Sequence, residues 1–175
     1  MRGDGRFVGA GDRMTPESDS NSGDAFGRAL MAEAPIVLAV ARATLMHESD
    51  AWDVLQTTLE IAIKRRDQLR NPLALRAWLL TIESRECFKL RRRLKRMVSL
   101  DDSVAEFRFS SGSQFDVVAV REALDELPPR TRQAVVLRHL AGLSVAEVAS
   151  ASGTSVNTVR SQLKTGLRRL REESA

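Results

Sequence analysis

The side chains best suited to chemistry lie near the C-terminus, where polar and basic residues recur through residues 156–171. Arg, Lys, Asn and Ser donate hydrogen bonds to base edges and to phosphates, so this pattern is typical of a helix that lies in a DNA groove. The residues predicted to contact DNA here are Asn157, Thr158, Arg160, Ser161, Gln162, Lys164 and Arg168.

A shorter helix is predicted directly before this one. Ser144 and Glu147 have the spacing of a capping box, and Gly153 can end the helix in the left-handed conformation. Thr154 or Ser155 can then cap the second helix. Small apolar residues fit a dry seam between the two helices: Val148, Ala149, Val156, Val159 and Leu163. The unit is predicted to be a helix-turn-helix; the alternative is an ordinary helical pair with a solvated basic face.

Composition and charge bound the possible classes of protein. The 175 residues suffice for one ordinary domain or two small ones. Residues 25–98 carry 14 basic and 8 acidic side chains, and residues 115–175 carry 9 and 7. Residues 99–114 between them carry 1 basic and 3 acidic side chains. Two basic blocks separated by an acidic stretch indicate two surfaces for a polyanion.

The single cysteine, Cys87, cannot form an internal disulfide, which is typical of a reducing cytoplasm. The N-terminal residues lack the apolar core of a signal peptide, and no apolar run is long enough to cross a membrane. We therefore expect a cytoplasmic protein without membrane insertion.

The apolar periodicity predicts an all-α fold with two small helical domains joined by a flexible linker. The predicted divisions are a disordered tail at 1–24, a first domain at 25–98, an acidic linker at 99–114 and the helix-turn-helix domain at 115–175. The first domain is expected to contain helices over 29–45, 49–66 and 72–97. Pro35 is expected to start or kink the first of these, Ser49 or Asp50 to cap the second, and residues 67–71 to form a loop.

The third of these helices carries a run of cationic side chains. Arg85, Lys89, Arg92 and Arg96 recur at steps of four, three and four, so they share one stripe, which Arg91, Arg93 and Lys95 are predicted to widen. Like charges along one stripe repel each other, and a polyanion would relieve that repulsion. Nucleic-acid contact is the favoured interpretation, and a merely solvated face is the alternative.

Other reactive residue types indicate little chemistry. Trp78 either packs in the core or stacks on an unpaired base. Cys87 is expected to be a small packing residue, and His47 and His139 to be structural or exposed. Neither a phosphate-binding glycine loop nor a metal-spaced His or Cys set is present, so the sequence predicts neither a catalytic residue, a metal site nor a cofactor.

Three stretches together resemble the extracytoplasmic-function (ECF) sigma factors of bacterial RNA polymerase. They are Ala-Trp-Asp-Val-Leu-Gln at 51–56, Ala-Trp-Leu at 77–79 with the following Arg run, and Leu-Pro-Pro-Arg at 127–130 with the helix-turn-helix. The first two resemble region two of that family, and the third resembles region four. The resemblance extends over residues 29–171, nearly all of the chain.

The resemblance implies a role for each element. The second helix would dock on the β′ clamp helices of core RNA polymerase, with contacts from Asp53, Leu55, Gln56 and Leu59. The loop and the basic helix would open the minus-ten promoter element through Lys64, Arg65, Arg66, Asn71, Trp78, Arg85, Lys89, Arg92 and Arg93. The last helix would read the minus-thirty-five element, and the acidic linker would enter the RNA exit path. The polymerase β flap and an anti-sigma factor are the further implied partners.

The chain departs from the family pattern at a few of these positions. Trp52 and Thr57 replace acidic residues on the docking helix. On the promoter-opening helix, Arg85 and Lys89 stand where the family often has Asn and Asp. The departures in the last helix are Asn157 for Gly and Gln162 for Arg. The resemblance then implies altered promoter preference and altered docking rather than a different fold.

Two other classes of function compete with a promoter-specificity subunit. A helix-turn-helix repressor or activator would use the same DNA-binding unit without binding core polymerase. An enzyme is the third class, and the chain offers no nucleophile elbow or other catalytic motif to support it.

Overall fold

The described part of the chain folds into α-helices. This computed structural model describes residues 16–98 and 115–173, and those ranges contain no β-strand. The N-terminal lobe consists of α1 (Pro16–Leu45), α2 (Glu48–Lys64) and α3 (Leu75–Val98). The C-terminal lobe consists of α4 (Phe115–Asp125), α5 (Pro129–Val135), α6 (Val145–Ser152) and α7 (Val156–Glu173). The predicted all-α class is confirmed, and the predicted linker at 99–114 lies outside the described residues.

Helix α1 begins earlier than the sequence predicts. Residues 16–24, which were expected to belong to the tail, form its first turns. Pro16 suits this position because the first N–H groups of a helix have no acceptor within it. Pro35 lies inside the helix on its exposed side, rather than at its start. Proline has no N–H group and so removes one hydrogen bond from the helix. The buried residues next to it keep the helix continuous, so packing outweighs this local cost.

The three helices of the N-terminal lobe pack against one another through apolar side chains at helical spacing. The most deeply buried of these are Val37, Val40, Ala41, Ala51, Ala62, Leu79 and Leu80. Helix α2 starts after His47, which has an extended backbone and makes no side-chain cap, so the predicted caps at Ser49 and Asp50 are wrong. An acidic first turn, with Glu48 and Asp50, favours this start through the helix dipole instead.

The connection between α2 and α3, residues 65–74, is longer than the predicted loop at 67–71 and is more ordered than a plain loop. It contains one 3₁₀ turn at Arg66–Gln68 and another at Pro72–Ala74. The Asn71 side chain accepts a hydrogen bond of 3.0 Å from the Leu73 amide, so it caps the second turn. Pro72 occupies the first position of that turn, close to where the sequence predicts a helix start.

The C-terminal lobe contains one irregular turn. Helix α5 begins at Pro129, as predicted, and passes directly into a π-helical turn at Val136–Leu140. There the Ala141 amide donates to the Val136 carbonyl at 3.2 Å, five residues back. A π turn accommodates one residue more than an α turn, so it shifts the register of the side chains that follow.

The predicted helix-turn-helix is present as α6 and α7. The capping box is formed in both directions, with 3.2 Å from the Glu147 amide to Ser144 Oγ and 2.8 Å from the Ser144 amide to Glu147 Oε2. Gly153 has φ 62°, in the left-handed region that the sequence predicts for the end of α6. Ser155 Oγ accepts from the Thr158 amide at 3.1 Å and so caps α7.

Helix α7 lies very close to α5 at Gly166. A Cβ atom there would lie 2.6 Å from Val135 Cγ2 and 3.0 Å from Thr131 Cγ2, so only glycine permits this approach. The two lobes also touch each other. Helix α6 packs along α3, and α1 contacts both α5 and the π turn. Among the described helices, none combines the length and apolar character that a membrane span requires.

Candidate nucleic-acid interface

One face of α7 presents donors to solvent. Val159, Leu163 and Gly166 turn inward and are buried, so the residues about half a turn away project outward. The exposed residues on that outward side are Asn157, Arg160, Ser161, Lys164, Arg168 and Arg171. The Arg160 guanidinium donates to Asn157 Oδ1 at 3.3 Å, which leaves most of its donors available. The structure thus brings together most of the predicted minus-thirty-five residues on one basic face.

Two predicted residues of α7 lie apart from this face. Gln162 is half-buried and lies on the flank of the helix that is nearly opposite Lys164. Thr158 is exposed, but its Oγ1 bonds to Ser155 Oγ at 2.8 Å at the capped end of the helix. The pattern of polar and apolar residues in the sequence does not distinguish these flanking positions from the outward face of the helix.

The long helix α3 carries the second basic surface. Trp78, Arg85, Lys89, Arg92 and Arg96 follow one stripe, and its four basic residues are exposed. Lys89 pairs with Glu86 at 2.7 Å. Within the described part of the chain, Arg85, Arg92 and Arg93 have no acidic partner. An unneutralised cationic stripe is the footprint that phosphate binding requires.

Arg91 does not widen this stripe. It lies on the opposite side of α3, where its Nη1 is 3.4 Å from the Thr44 carbonyl oxygen. Burial lowers the pKa of Arg91, and the charge of Arg132 lowers it further. The prediction for Arg91 failed because consecutive residues of a helix point in different directions. In a run of basic residues, at least one side chain therefore points toward the protein. Trp78 is half-buried and packs against the core, which agrees with the packing interpretation.

The connection before α3 carries further exposed basic residues. Lys64, Arg65, Arg66 and Asn71 are all exposed, and they lie between the end of α2 and the start of α3. Arg66 contacts the Asp67 carboxylate at 3.8 Å. Leu73 next to them is 94% exposed.

A mixed apolar and polar stripe runs along α2. Trp52, Gln56, Leu59 and Ile63 recur at steps of four, three and four, so they lie on one side of the helix. Trp52 is 50% exposed and Ile63 is 57% exposed, while Leu59 is half-buried. Asp53 and Glu60 border the stripe and are exposed. We call these six residues the α2 face.

Leu55 is not part of the α2 face. It is 6% exposed and packs in the core with Ala51, Val54 and Ala62, so the prediction that it contacts a partner is wrong. Sequence reasoning placed Leu55 in the motif because it lies beside Gln56, although neighbours in a helix point about 100° apart. The same reasoning missed Trp52 and Ile63, whose spacing from Gln56 and Leu59 was the available signal.

Trp52 is held in place by its neighbours. Its indole N–H donates to Glu48 Oε1 at 2.9 Å, and the Arg42 guanidinium lies 5.6 Å from the ring centroid. Arg42 also donates to Glu48, with Nε 2.9 Å from Oε2, and hydrogen bonds from Arg42 lower the pKa of Glu48. The exposed half of the indole is therefore a fixed apolar platform at the start of the α2 face.

One acidic group is buried in α3, away from both basic surfaces. Glu83 is 1% exposed, and its carboxyl group accepts hydrogen bonds from Cys87 Sγ at 3.0 Å and Ser84 Oγ at 3.3 Å. Burial raises the pKa of Glu83 to about 7, although both hydrogen bonds act in the opposite direction. Cys87 is buried as predicted, and burial also raises the pKa of its thiol.

Family models match both lobes of the chain. The model for Sigma-70 region 2 matches residues 30–97, and the model for Sigma-70, region 4 matches residues 118–170. The first match contains the α2 face and the stripe on α3, and the second contains the helix-turn-helix.

Individual relatives agree with these matches. The chain is 31% identical over 127 residues to the RNA polymerase sigma factor SigV of Bacillus subtilis, covering 71% of this chain and 76% of SigV. It is 30% identical over 139 residues to the ECF RNA polymerase sigma factor EcfG of Rhodopseudomonas palustris, covering 77% of this chain and 76% of EcfG.

Solved structures show the same architecture. The sigma factor RpoE from Bartonella quintana, in complex with the anti-sigma factor NepR, superposes with a TM-score of 0.75 at 26% identity. That match covers 85% of this chain and 95% of the RpoE chain. CnrH, in complex with the cytosolic domain of CnrY, shares the fold with a TM-score of 0.65 at 24% identity, covering 89% of this chain and 91% of that chain. The chain therefore belongs to the ECF sigma factors of the sigma-70 family.

Proposed function

We propose that this protein binds core RNA polymerase and directs it to promoters that carry a minus-ten and a minus-thirty-five element. The observation that carries the proposal is the pair of exposed basic faces, one on α3 and one on α7, in a chain of the sigma-70 family. A regulator with a single helix-turn-helix needs only the second face. The protein proposed here then acts in the cytoplasm, where polymerase and chromosome are found.

Helix α7 reads the minus-thirty-five element in this proposal. Asn157, Arg160, Ser161, Lys164 and Arg168 face outward and supply both base-reading and phosphate-binding donors. Gln162 and Thr158, on the flanks of the helix, contact the backbone rather than the bases. The burial of Val159 and Leu163 against α6 fixes the rotation of α7 and hence the register of these donors.

Helix α3 and the connection before it hold the minus-ten element. The stripe from Arg85 to Arg96 follows the phosphates, and Lys64, Arg65, Arg66 and Asn71 reach the same strand from the side. Trp78 lies at the upper end of the stripe and stacks on a base once the duplex opens. Unstacking a base costs a few kcal/mol, which these phosphate contacts offset.

The α2 face docks on the β′ clamp helices. Its central stripe carries the apolar side chains of Trp52, Leu59 and Ile63 together with Gln56, and Asp53 and Glu60 form a polar border. A buried apolar centre with a polar rim is the usual anatomy of a protein interface, and Trp is enriched among its strongest contacts. Trp52 therefore contributes to docking through apolar contact, whereas the acidic residue at this position in other family members contributes through its charge.

An anti-sigma factor is the remaining partner that we assign to the chain. RpoE of Bartonella quintana was solved in complex with the anti-sigma factor NepR, and CnrH with a domain of CnrY. This chain superposes on both sigma factors over more than four fifths of its length. A helical inhibitor that clasps both lobes is the partner that such a superposition favours.

Run-off transcription with core polymerase and genomic promoter fragments tests the main proposal. We expect specific initiation from a subset of fragments only when this protein is added. On such a fragment, Arg160→Ala and Lys164→Ala should each weaken promoter binding by about 1–3 kcal/mol, because each removes a groove contact. Arg169→Ala, on another side of α7, is the matched control and should bind almost normally.

Polymerase binding is measured separately, by fluorescence anisotropy of the labelled protein with core enzyme. We expect Trp52→Ala to cost about 2 kcal/mol or more, as interface tryptophans do, and Gln56→Ala to cost less. The variants in α7 should bind core normally. A protein that binds promoter DNA but never binds core polymerase would be an ordinary regulator, and the proposal would fail.

A further inference from the structure

Three side chains form a cluster around the turn that joins α1 to α2. Arg42 lies in the last turn of α1, Glu48 is the first residue of α2, and Trp52 follows one helical turn later. Arg42 Nε donates to Glu48 Oε2 at 2.9 Å and to Oε1 at 3.0 Å, and Nη2 also donates to Oε1. The indole N–H of Trp52 donates to the same Oε1 at 2.9 Å. One carboxylate therefore connects the end of α1 to the exposed aromatic ring on α2.

The backbone of this turn brings Glu48 close to Arg42. Met46 has φ 61°, and it is the one residue other than glycine with a positive φ among the described residues. The left-handed conformation costs free energy for a residue with a Cβ atom and persists only where surrounding contacts hold it. The Met46 amide donates to the Arg42 carbonyl at 3.0 Å, and the ion pair of Arg42 with Glu48 spans the same turn. The turn conformation and the ion pair therefore stabilise each other.

The two charged residues leave part of the Trp52 ring for a partner. The Arg42 guanidinium lies over the ring, 5.6 Å from its centroid, and Glu48 occupies the N–H edge. Trp52 is 50% exposed with both neighbours in place, so the remaining ring surface faces solvent. A side chain that is already ordered loses less conformational entropy on binding than a freely rotating one. An ordered Trp52 is therefore a better anchor for a partner protein.

The ion pair is too exposed to be explained by the stability of the fold. The side chains of Arg42 and Glu48 are 42% and 46% exposed, and exposed ion pairs contribute little to stability. Hydrogen bonds from Arg42 lower the pKa of Glu48, so the carboxylate is ionised at neutral pH. An acidic residue at position 52, the type usual in the family, would be repelled by Glu48 one turn away. The cluster thus suits the tryptophan that this chain has there.

We propose that Arg42 and Glu48 are positioning residues for the docking of Trp52 on core RNA polymerase. They hold the indole in the orientation in which the α2 face binds, so they act through Trp52. Neither residue belongs to the α2 face, and Arg42 lies on a different helix. The inference rests on the proposed function, which assigns the α2 face to the β′ clamp helices.

Time-resolved fluorescence anisotropy of Trp52 in the free protein tests the positioning itself. Trp78→Phe leaves Trp52 as the single tryptophan of the chain. In this background, Glu48→Ala and Arg42→Ala should each raise the amplitude of the fast, local decay about twofold, because the ring gains rotamer motion on the nanosecond timescale. Glu48→Gln should give an intermediate amplitude, since its amide oxygen can still accept from the indole N–H.

A double-mutant cycle tests whether Arg42 and Glu48 act through Trp52. Affinity for core polymerase is measured with the labelled full-length protein. Glu48→Ala should weaken binding about tenfold when Trp52 is present, and less than about twofold when Trp52 has already been replaced by alanine. Arg42→Ala should follow the same pattern. A pair that only stabilised α2, or that contacted polymerase independently, would weaken binding equally in both backgrounds.

Glu33→Ala is the matched control, because it removes an ion pair with Arg76, at 2.7 Å, from another part of the same lobe. It should change neither the decay of Trp52 nor the affinity for core, and circular dichroism checks that every variant folds. An unchanged decay in Glu48→Ala, or equal losses in both backgrounds of the cycle, would overturn the positioning role. The decay is measured without polymerase. An ordered Trp52 in a wild-type protein that never binds core would therefore overturn the proposed function instead.

Discussion

The buried carboxyl group of Glu83 makes the stability of the protein depend on pH. Its pKa is about 7 in the folded chain and 4.5 when exposed, because burial penalises the charged form. Below pH 4.5 the group is protonated in both states and costs nothing. Between pH 4.5 and 7 the unfolded chain ionises while the folded chain stays neutral, so stability falls as pH rises. Above pH 7 the whole cost is present, which is about 3 kcal/mol at 1.36 kcal/mol per pKa unit.

Glu83→Gln removes this cost while keeping the shape of the side chain. The amide oxygen still accepts from Cys87, and the amide nitrogen can donate to Ser84 Oγ. We expect the variant to be more stable than wild type by up to about 3 kcal/mol at pH 8, which corresponds to roughly 6–12 °C in Tm for a chain of this size. At pH 5 the two proteins should agree to within about 1 kcal/mol, because most of the cost is then absent.

Urea unfolding followed by circular dichroism at pH 5, 6, 7 and 8 provides the measurement. Glu126→Gln, at an exposed position, is the matched control and should show no such pH dependence. A stability difference between Glu83→Gln and wild type that is equal at pH 5 and pH 8 would refute the reasoning. A Glu83→Gln protein less stable than wild type at pH 8 would refute it as well, since the charged form would then be stabilised in the fold.

Two further predictions concern the C-terminal lobe. Gly166→Ala should lower the stability of the full chain by about 1–3 kcal/mol, because its Cβ would clash with Val135. This loss should outweigh the better helix propensity of alanine. Thermal unfolding checks this, and an unchanged Tm would mean that α5 and α7 can separate freely. Ser144→Ala should cost about 1 kcal/mol through the lost cap, and Ser144→Thr should restore most of it; a loss that threonine does not reduce would assign the effect to something other than the capping box.

The sequence predicted correctly several helix ends that are determined by a few neighbouring residues. The capping box at Ser144, the left-handed Gly153 and the prolines before α5 each determine a helix end through the conformation of a few residues, and the structure has them where expected. The stripe on α3 followed from spacing alone. The caps predicted at Ser49 and Asp50 are the exception among these local signals, since α2 starts after His47.

The remaining failures depend on which part of the fold packs against a residue, and the local sequence does not specify this. Nothing in the local sequence distinguishes Arg91 from Arg92, yet one contacts Thr44 and the other faces solvent. Leu55 and Ile63 are both apolar residues of α2, and only the packing of α1 and α3 decides which is buried. Helix α1 extends to Pro16 because a helix can continue through weak residues once its later turns are packed.

The π turn at Val136–Leu140 amounts to an insertion of one residue in the path from α5 to α7. Each residue in a helix advances the chain by about 100°. Deletion of one uncharged residue of this turn, Val136, Leu137 or Leu140, would restore a regular α-helix and rotate the following segment by that angle, with no change in charge. In the proposed function, the orientation of α7 on DNA therefore depends on the length of this turn as well as on the residues of α7 itself.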